Sequence, residues 1–317
     1  MQTAPHSTPA PPALPVPDPS HGADIARVLQ ATTGRFPWRP QFREFRGALG
    51  AYIDEGPKDA PVLLCLHGNP TWSFFYRAVV ERFAGAYRVV VPDHIGMGLS
   101  EKPQDFDYTL ATRIAAMEDL IQHLDLRRIT LLVHDWGGAI GVGLAGRHPE
   151  RFERLVASNT AAFPGFQAHS LIRIARLPGL HQLLMGRLGL FEKITVRWAT
   201  GAGLAPDLRK AYLAPFPSPE ARVAVRAFVR DIPLRAAHPS YATLLEVERS
   251  LAMWRDKPVL LLWGNRDWVF TPAFREEFAR RLPTARVCGL DHCGHLLWED
   301  DPARCLDEVA QLLEVQA

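Results

Sequence analysis

Short unbroken apolar runs recur along the chain, each followed by a turn and then by helix-period spacing. The clearest are Val62–Leu66, Arg88–Val91, Ile129–Val133, Leu155–Ser158, Val259–Trp263 and Arg286–Gly289. Runs without polar alternation predict strands buried on both faces, as in parallel sheets. Strand and helix patterns in alternation predict a doubly wound α/β sheet. Phe42–Ile53 predicts a hairpin around Gly47 that feeds the sheet edge. From about Phe163 to Glu248 the rhythm breaks. Leu, Arg and Ala dominate there, with prolines at 178, 206, 215, 217, 219, 233 and 239. That stretch predicts several short, kinked helices inserted between two strands as a cap. The expected layout is therefore a core of residues 36–162 and 249–317 and a helical cap of residues 163–248. Residues 1–35 are expected to be a disordered tail: the first 20 contain seven prolines and no apolar h-region, a polyproline II tendency. Order is expected to begin around Phe36.

Composition narrows the class only slightly. Apolar residues make up 47% and charged residues 22% of 317, with net charge +2. That balance fits a soluble globular protein and gives no basic surplus for nucleic acid or a membrane surface. No apolar run approaches the length of roughly 18 residues that a membrane-spanning helix needs. Cys65, Cys288, Cys293 and Cys305 are too few and too irregular for a disulfide framework. A reducing, cytoplasmic setting is expected.

Four loops could carry chemistry, and each follows a predicted strand. Val133-His134-Asp135-Trp136-Gly137-Gly138 lies between an apolar strand and a helix of small residues. Strand, sharp turn and helix make the setting of a nucleophile elbow, here with Asp135 at its centre. Asp at that junction could equally be a helix N-cap. Leu66-His67-Gly68-Asn69-Pro70 can set a backbone N–H beside the elbow and complete an oxyanion hole; His67 itself reads as structural. Asp267 ends a later strand, and His295 lies in Asp291-His292-Cys293-Gly294-His295-Leu296 after the last one. Nucleophile, acid, then histidine is the chain order of an α/β-hydrolase triad. Asp135, Asp267 and His295 supply it, with Asp267 holding the imidazole tautomer. His292 fits the base position less well than His295. Cys288, His292, Cys293 and His295 cluster, but not at the spacing of a zinc site, and no metal or cofactor is expected. Arg266 reads as a surface charge.

These motifs resemble the haloalkane dehalogenases over about residues 36–314. The residues that carry it are His67-Gly68-Asn69-Pro70, Asp93–Ser100, His134–Gly138 and Gly294-His295. The resemblance implies that Asn69 and Trp136 hold a leaving anion. It also implies an acid at Asp267, since Asn159 stands where another subfamily carries a glutamate. Asp54–Pro57, Pro92–Pro103, Asn159–Pro164, Ala211–Pro215 and Asp231–Leu234 are similar to β-lactone decarboxylases of bacterial olefin biosynthesis. Those enzymes turn cis-3,4-dialkyl-β-lactones into cis-alkenes and carbon dioxide. That resemblance implies the same reaction here, with other olefin-biosynthesis enzymes as possible partners in a multi-enzyme assembly.

A carboxylate nucleophile suits displacement at a saturated carbon, through an alkyl-enzyme ester. Haloalkane dehalogenation by that route is the alternative function. On a β-lactone, attack at the alkyl carbon and attack at the carbonyl both stay open. Phe163, Phe166, Leu183, Leu184 and Phe228 could accept alkyl chains or be plain cap core. A serine esterase would need Ser at 135. A fluoroacetate dehalogenase would carry Arg where Trp136 stands. An epoxide hydrolase would use two cap tyrosines, for which Tyr212 and Tyr241 are the candidates. A non-catalytic binding protein on the same fold is the alternative of another class.

Overall fold

The computed structural model describes residues 19–165, 176–177 and 181–315. Eight strands form one sheet: β1 (Gln41–Phe45), β2 (Ala48–Glu55), β3 (Val62–Leu66), β4 (Arg88–Pro92), β5 (Ile129–Asp135), β6 (Phe152–Thr160), β7 (Val259–Gly264) and β8 (Arg286–Leu290). Their spatial order is β1-β2-β4-β3-β5-β6-β7-β8. β2 pairs antiparallel with both β1 and β4, and every later pairing is parallel. The hairpin turns at Arg46 and Gly47, both with positive φ (54° and 80°), the two-residue geometry that matches strand twist.

All residues of β3, β4, β5 and β7 are buried, as the unbroken apolar runs require. Helices cover both faces and divide the core in two. Among the covering helices are α2 (Arg77–Phe83), α3 (Leu110–His123) and α4 (Trp136–Arg147). Between β6 and β7 the described residues hold four α-helices: Leu190–Trp198, Pro206–Leu213, Val223–Arg230 and Tyr241–Ser250. The last of these packs on α4. A Cβ at Gly143 would meet Val247 at 2.9 Å, and one at Gly146 would meet Ser250 at 1.9 Å.

One expectation is corrected. Order does not wait for Phe36, because α1 spans Pro19–Ala31. Ile25, Val28 and Leu29 share one face of it, and Val28 is buried with Phe36, Trp72 and Phe74. Two side chains tie the helix down: His21 Nε2 meets the Leu99 carbonyl at 2.9 Å, and Arg27 donates to the Ala214 carbonyl at 2.7 Å. The prolines disguised a helix that tertiary contacts hold in place. The rest of the expected tail, residues 1–18, lies outside the described residues. No helix among the described residues is long and apolar enough to cross a membrane.

Candidate active site

β5 ends at Asp135, whose backbone is in a strained conformation (φ 51°, ψ −124°). Such a geometry in a non-glycine residue costs about 1–3 kcal/mol and persists only where the surroundings enforce it. Close packing enforces it here. A Cβ on Gly137 would lie 2.0 Å from the Leu66 carbonyl oxygen, so α4 can meet β3 only without a side chain there. The carboxylate of Asp135 makes no helix-capping hydrogen bond, which removes the N-cap alternative. Its Oδ1 instead accepts the Asn69 N–H at 2.6 Å, and the Trp136 N–H faces the same carboxylate. Oδ2 points toward His295 Nε2, 3.8 Å away.

His295 is fixed from behind. Its Nδ1 meets Asp267 Oδ2 at 2.8 Å. That oxygen also accepts from the Asn159 side-chain amide at 2.8 Å, and Asp267 Oδ1 accepts the Val269 N–H at 2.7 Å. Asn159 Oδ1 takes the Gly264 N–H at 2.8 Å, so one amide joins the ends of β6 and β7. The structure thus brings Asp135, His295 and Asp267 into one chain of contacts, all buried.

Burial governs the charges. It pushes Asp135 up to about 6, against the opposing pull of His295 and the two backbone N–H groups. For His295 burial works downward, but the Asp267 and Asp135 carboxylates outweigh it and leave the imidazole raised. Burial lowers His67 to about 4 and holds it neutral. His67 Nδ1 donates to the Gly68 carbonyl at 2.8 Å, and its Nε2 accepts the His94 N–H at 3.3 Å, a structural role.

A cavity of about 390 Å³ opens over Asp135. Asn69, Trp136 and His295 share its floor, and its walls are mostly apolar, including Phe163, Phe191, Ile232, Leu244 and Phe270. The Asn69 amide gives one hydrogen to the Val225 carbonyl at 3.1 Å, which leaves its second donor for the cavity. Trp136 leans on Phe228, with ring centroids 5.3 Å apart. The guanidinium of Arg113 lies 3.3 Å over the ring of Phe228. Both Nη atoms of Arg113 are buried without a hydrogen-bond partner among the described residues, and burial pulls its pKa down to about 9.

Other sequence candidates fall elsewhere. Phe163 lines the cavity, Phe228 is core behind Trp136, and Leu183 is exposed. Leu184 is half-buried, and Phe166 lies outside the described residues. Tyr241 reaches the cavity, whereas Tyr212 is buried with its hydroxyl donating to Glu299 at 2.5 Å. The paired cap tyrosines of an epoxide hydrolase are therefore not assembled. His292 meets Asp301 on the surface at 3.0 Å, and Arg266 donates to the Asp291 carbonyl at 3.0 Å. Sequence reading did not single out Phe191, Leu244, Trp268 or Phe270. Trp268 directly follows Asp267 and Phe270 lies three residues beyond it, and that adjacency was the available signal.

The sequence profile of the alpha/beta hydrolase fold family matches residues 61–196. A cis-3-alkyl-4-alkyloxetan-2-one decarboxylase from Xanthomonas campestris is 37% identical, over 84% of this chain and 93% of its own. One of the same name from Shewanella oneidensis is 38% identical, over 83% and 85%. A haloalkane dehalogenase from Mycobacterium marinum is 37% identical, over 78% and 83%. Among solved structures, a haloalkane dehalogenase from Bradyrhizobium elkani superposes with TM-score 0.80 at 29% identity, covering 86% of this chain and 96% of that one.

Proposed function

The chain belongs to the α/β-hydrolase family that holds the oxetanone decarboxylases and the haloalkane dehalogenases, and from that membership we propose that it converts cis-3-alkyl-4-alkyl-β-lactones to cis-alkenes and carbon dioxide. The observation that carries the reading is a carboxylate at the elbow beneath an apolar cavity. The likeness to two decarboxylases over more than four-fifths of the chain selects the lactone as its substrate.

Asp135 is the nucleophile. The Asn69 N–H occupies Oδ1, so Oδ2 attacks. Attack at C4, the alkyl carbon bearing the ring oxygen, breaks the C4–O bond with inversion. It leaves an alkyl-enzyme ester at C4 and a free carboxylate on C3. Loss of carbon dioxide from that carboxylate supplies the electron pair of the C3=C4 bond and expels Asp135 as a carboxylate. Inversion followed by anti elimination carries a cis ring to a cis alkene, and neither water nor a proton is consumed. Attack at the carbonyl would instead leave an alkoxide, a poor leaving group for the final elimination. Asn69 and Trp136 hold the released carboxylate. Asp267 orients His295, which clears by hydrolysis any ester that fails to eliminate.

Haloalkane dehalogenation is the second reading, and the Asn69–Trp136 floor favours it, because the same donors suit a departing halide. Gas chromatography of alkene from a cis-dialkyl-β-lactone, run beside a halide assay on 1-bromoalkanes, separates the two. Alkene should form faster than bromide. Rapid bromide release without alkene would replace the first reading by the second. A His295→Gln variant sharpens the result: alkene turnover should persist, while bromoalkanes should give a single burst and a trapped ester.

Within this proposal residues 163–248 form the cap and residues 36–162 with 249–317 the core. The four cysteines are unpaired, in keeping with a reducing cytoplasm. The lactone must come from an enzyme that closes a β-hydroxy acid, so an assembly with such partners is part of the proposal.

A further inference from the structure

The helix Leu190–Trp198 has two apolar faces. Phe191, Thr195 and Ala199, just past its end, line the cavity. About 100° around the helix from them, Leu190, Ile194 and Trp198 follow one another at i, i+4 and i+8 as a single stripe, each the chain neighbour of a cavity-lining residue. Leu190 is 38% and Trp198 64% exposed, and Ile194 is half-buried between them. Lys193 and Arg197 flank the stripe and are exposed, and the Arg197 guanidinium lies 5.0 Å over the Trp198 ring. The helix has one acid, Glu192, which is buried and ion-paired with Arg222 at 2.5 Å. Just before the helix, Leu183 and Leu188 are also exposed, with Arg187 beside them. The outer surface is therefore apolar with a rim of positive charge and no exposed acid on the helix.

We propose that this exposed stripe docks on an anionic phospholipid bilayer, beside the helix face that lines the cavity. Tryptophan and leucine on one face with basic neighbours is the composition of a helix lying in a membrane interface. The charge rim chooses the occupant, because a bilayer rich in anionic headgroups complements Lys193, Arg197 and Arg187 at once. The functional benefit rests on the lactone reading: a substrate with two alkyl chains partitions into lipid, and docking lets it enter without crossing water. The docking itself can be scored without turnover.

Flotation of the full chain with vesicles tests it. The protein should float with phosphatidylcholine vesicles containing phosphatidylglycerol, hardly at all with phosphatidylcholine alone, and be released by salt. Leu190→Gln with Trp198→Gln should lower the partition about tenfold or more, and Lys193→Glu with Arg197→Glu should abolish the preference for the anionic lipid. Thermal melts, and alkene release from a short-chain soluble lactone, should be unchanged in both pairs, which separates lost docking from lost folding. Wild-type protein that ignores anionic vesicles, or a Leu190/Trp198 variant that floats as well as wild type, overturns the proposal. So does a concentration-dependent dimer that the same variant abolishes while vesicles go unbound. Flotation without alkene would leave the docking standing and remove the lactone, and alkene without flotation would do the reverse.

Discussion

On the sheet side of the cavity Asp135, Asp267 and His295 are each tied by directional hydrogen bonds to the ends of strands or the loops just after them. On the helical side Phe191, Ile232 and Leu244 bound the same space as apolar surface. The sheet side fixes where charge sits. The helical side fixes only shape and dryness. Reaction type should therefore depend on the first region and substrate size on the second, and substitutions in each can break or sharpen that division.

The largest effect is expected for Asp135→Asn. Turnover should fall by roughly 10⁴-fold or more, as for removal of a nucleophile in comparable sites. The fold should not suffer. Burial raises the folded-state pKa of Asp135 to about 6, so the folded protein binds that proton more tightly than the unfolded chain. The carboxylate consequently costs stability as pH climbs from roughly 4 to 6, and the cost persists above that range. Removing the charge should leave the melting temperature at pH 7 unchanged or higher, by a stability gain on the order of 1–3 kcal/mol. Loss of folding together with activity would place Asp135 in the scaffold instead.

The acid limb of the rate profile comes next. On the proposed mechanism alkene release needs ionised Asp135 and should fall about tenfold per unit below pH 6 or so. Any bromide turnover also needs neutral His295, whose pKa is raised, so its limb should lie at higher pH. Coincident limbs would mean that both reactions wait on the same group.

The helical side should respond most gently. Phe191→Ala or Ile232→Ala should shift the preferred chain length by roughly tenfold in kcat/KM between a short and a long lactone, the scale of one or two methylenes in an apolar pocket. The rate constant for the short one should stay put. An equal loss on both substrates would show that the helical side also positions the reacting atoms.

The same division decided what could be read from the chain. β3, β5 and β7 were legible because burial on both faces leaves an unbroken Val/Leu run. β6 proved longer than Leu155–Ser158, reaching Phe152 at one end and Thr160 at the other, since pairing with β5 continues past the apolar stretch. Asp135, Asp267 and His295 could be proposed from order and strand context, because each needs a fixed place at the end of a strand. The walls of the cavity could not. Phe191 and Leu244 come from separate helices, and nothing local distinguishes a leucine facing space from one facing its neighbour. Phe228 shows the ambiguity: apolar, on the helix Val223–Arg230 and close to the site, it supports Trp136 rather than touching the cavity. α1 was lost to composition, since prolines hid the Ile25, Val28 and Leu29 spacing.

Asn159 fastens β6 to β7 and orients Asp267. The side chain of Asn159 thus couples the spacing of two strands to the aim of the carboxylate that holds His295.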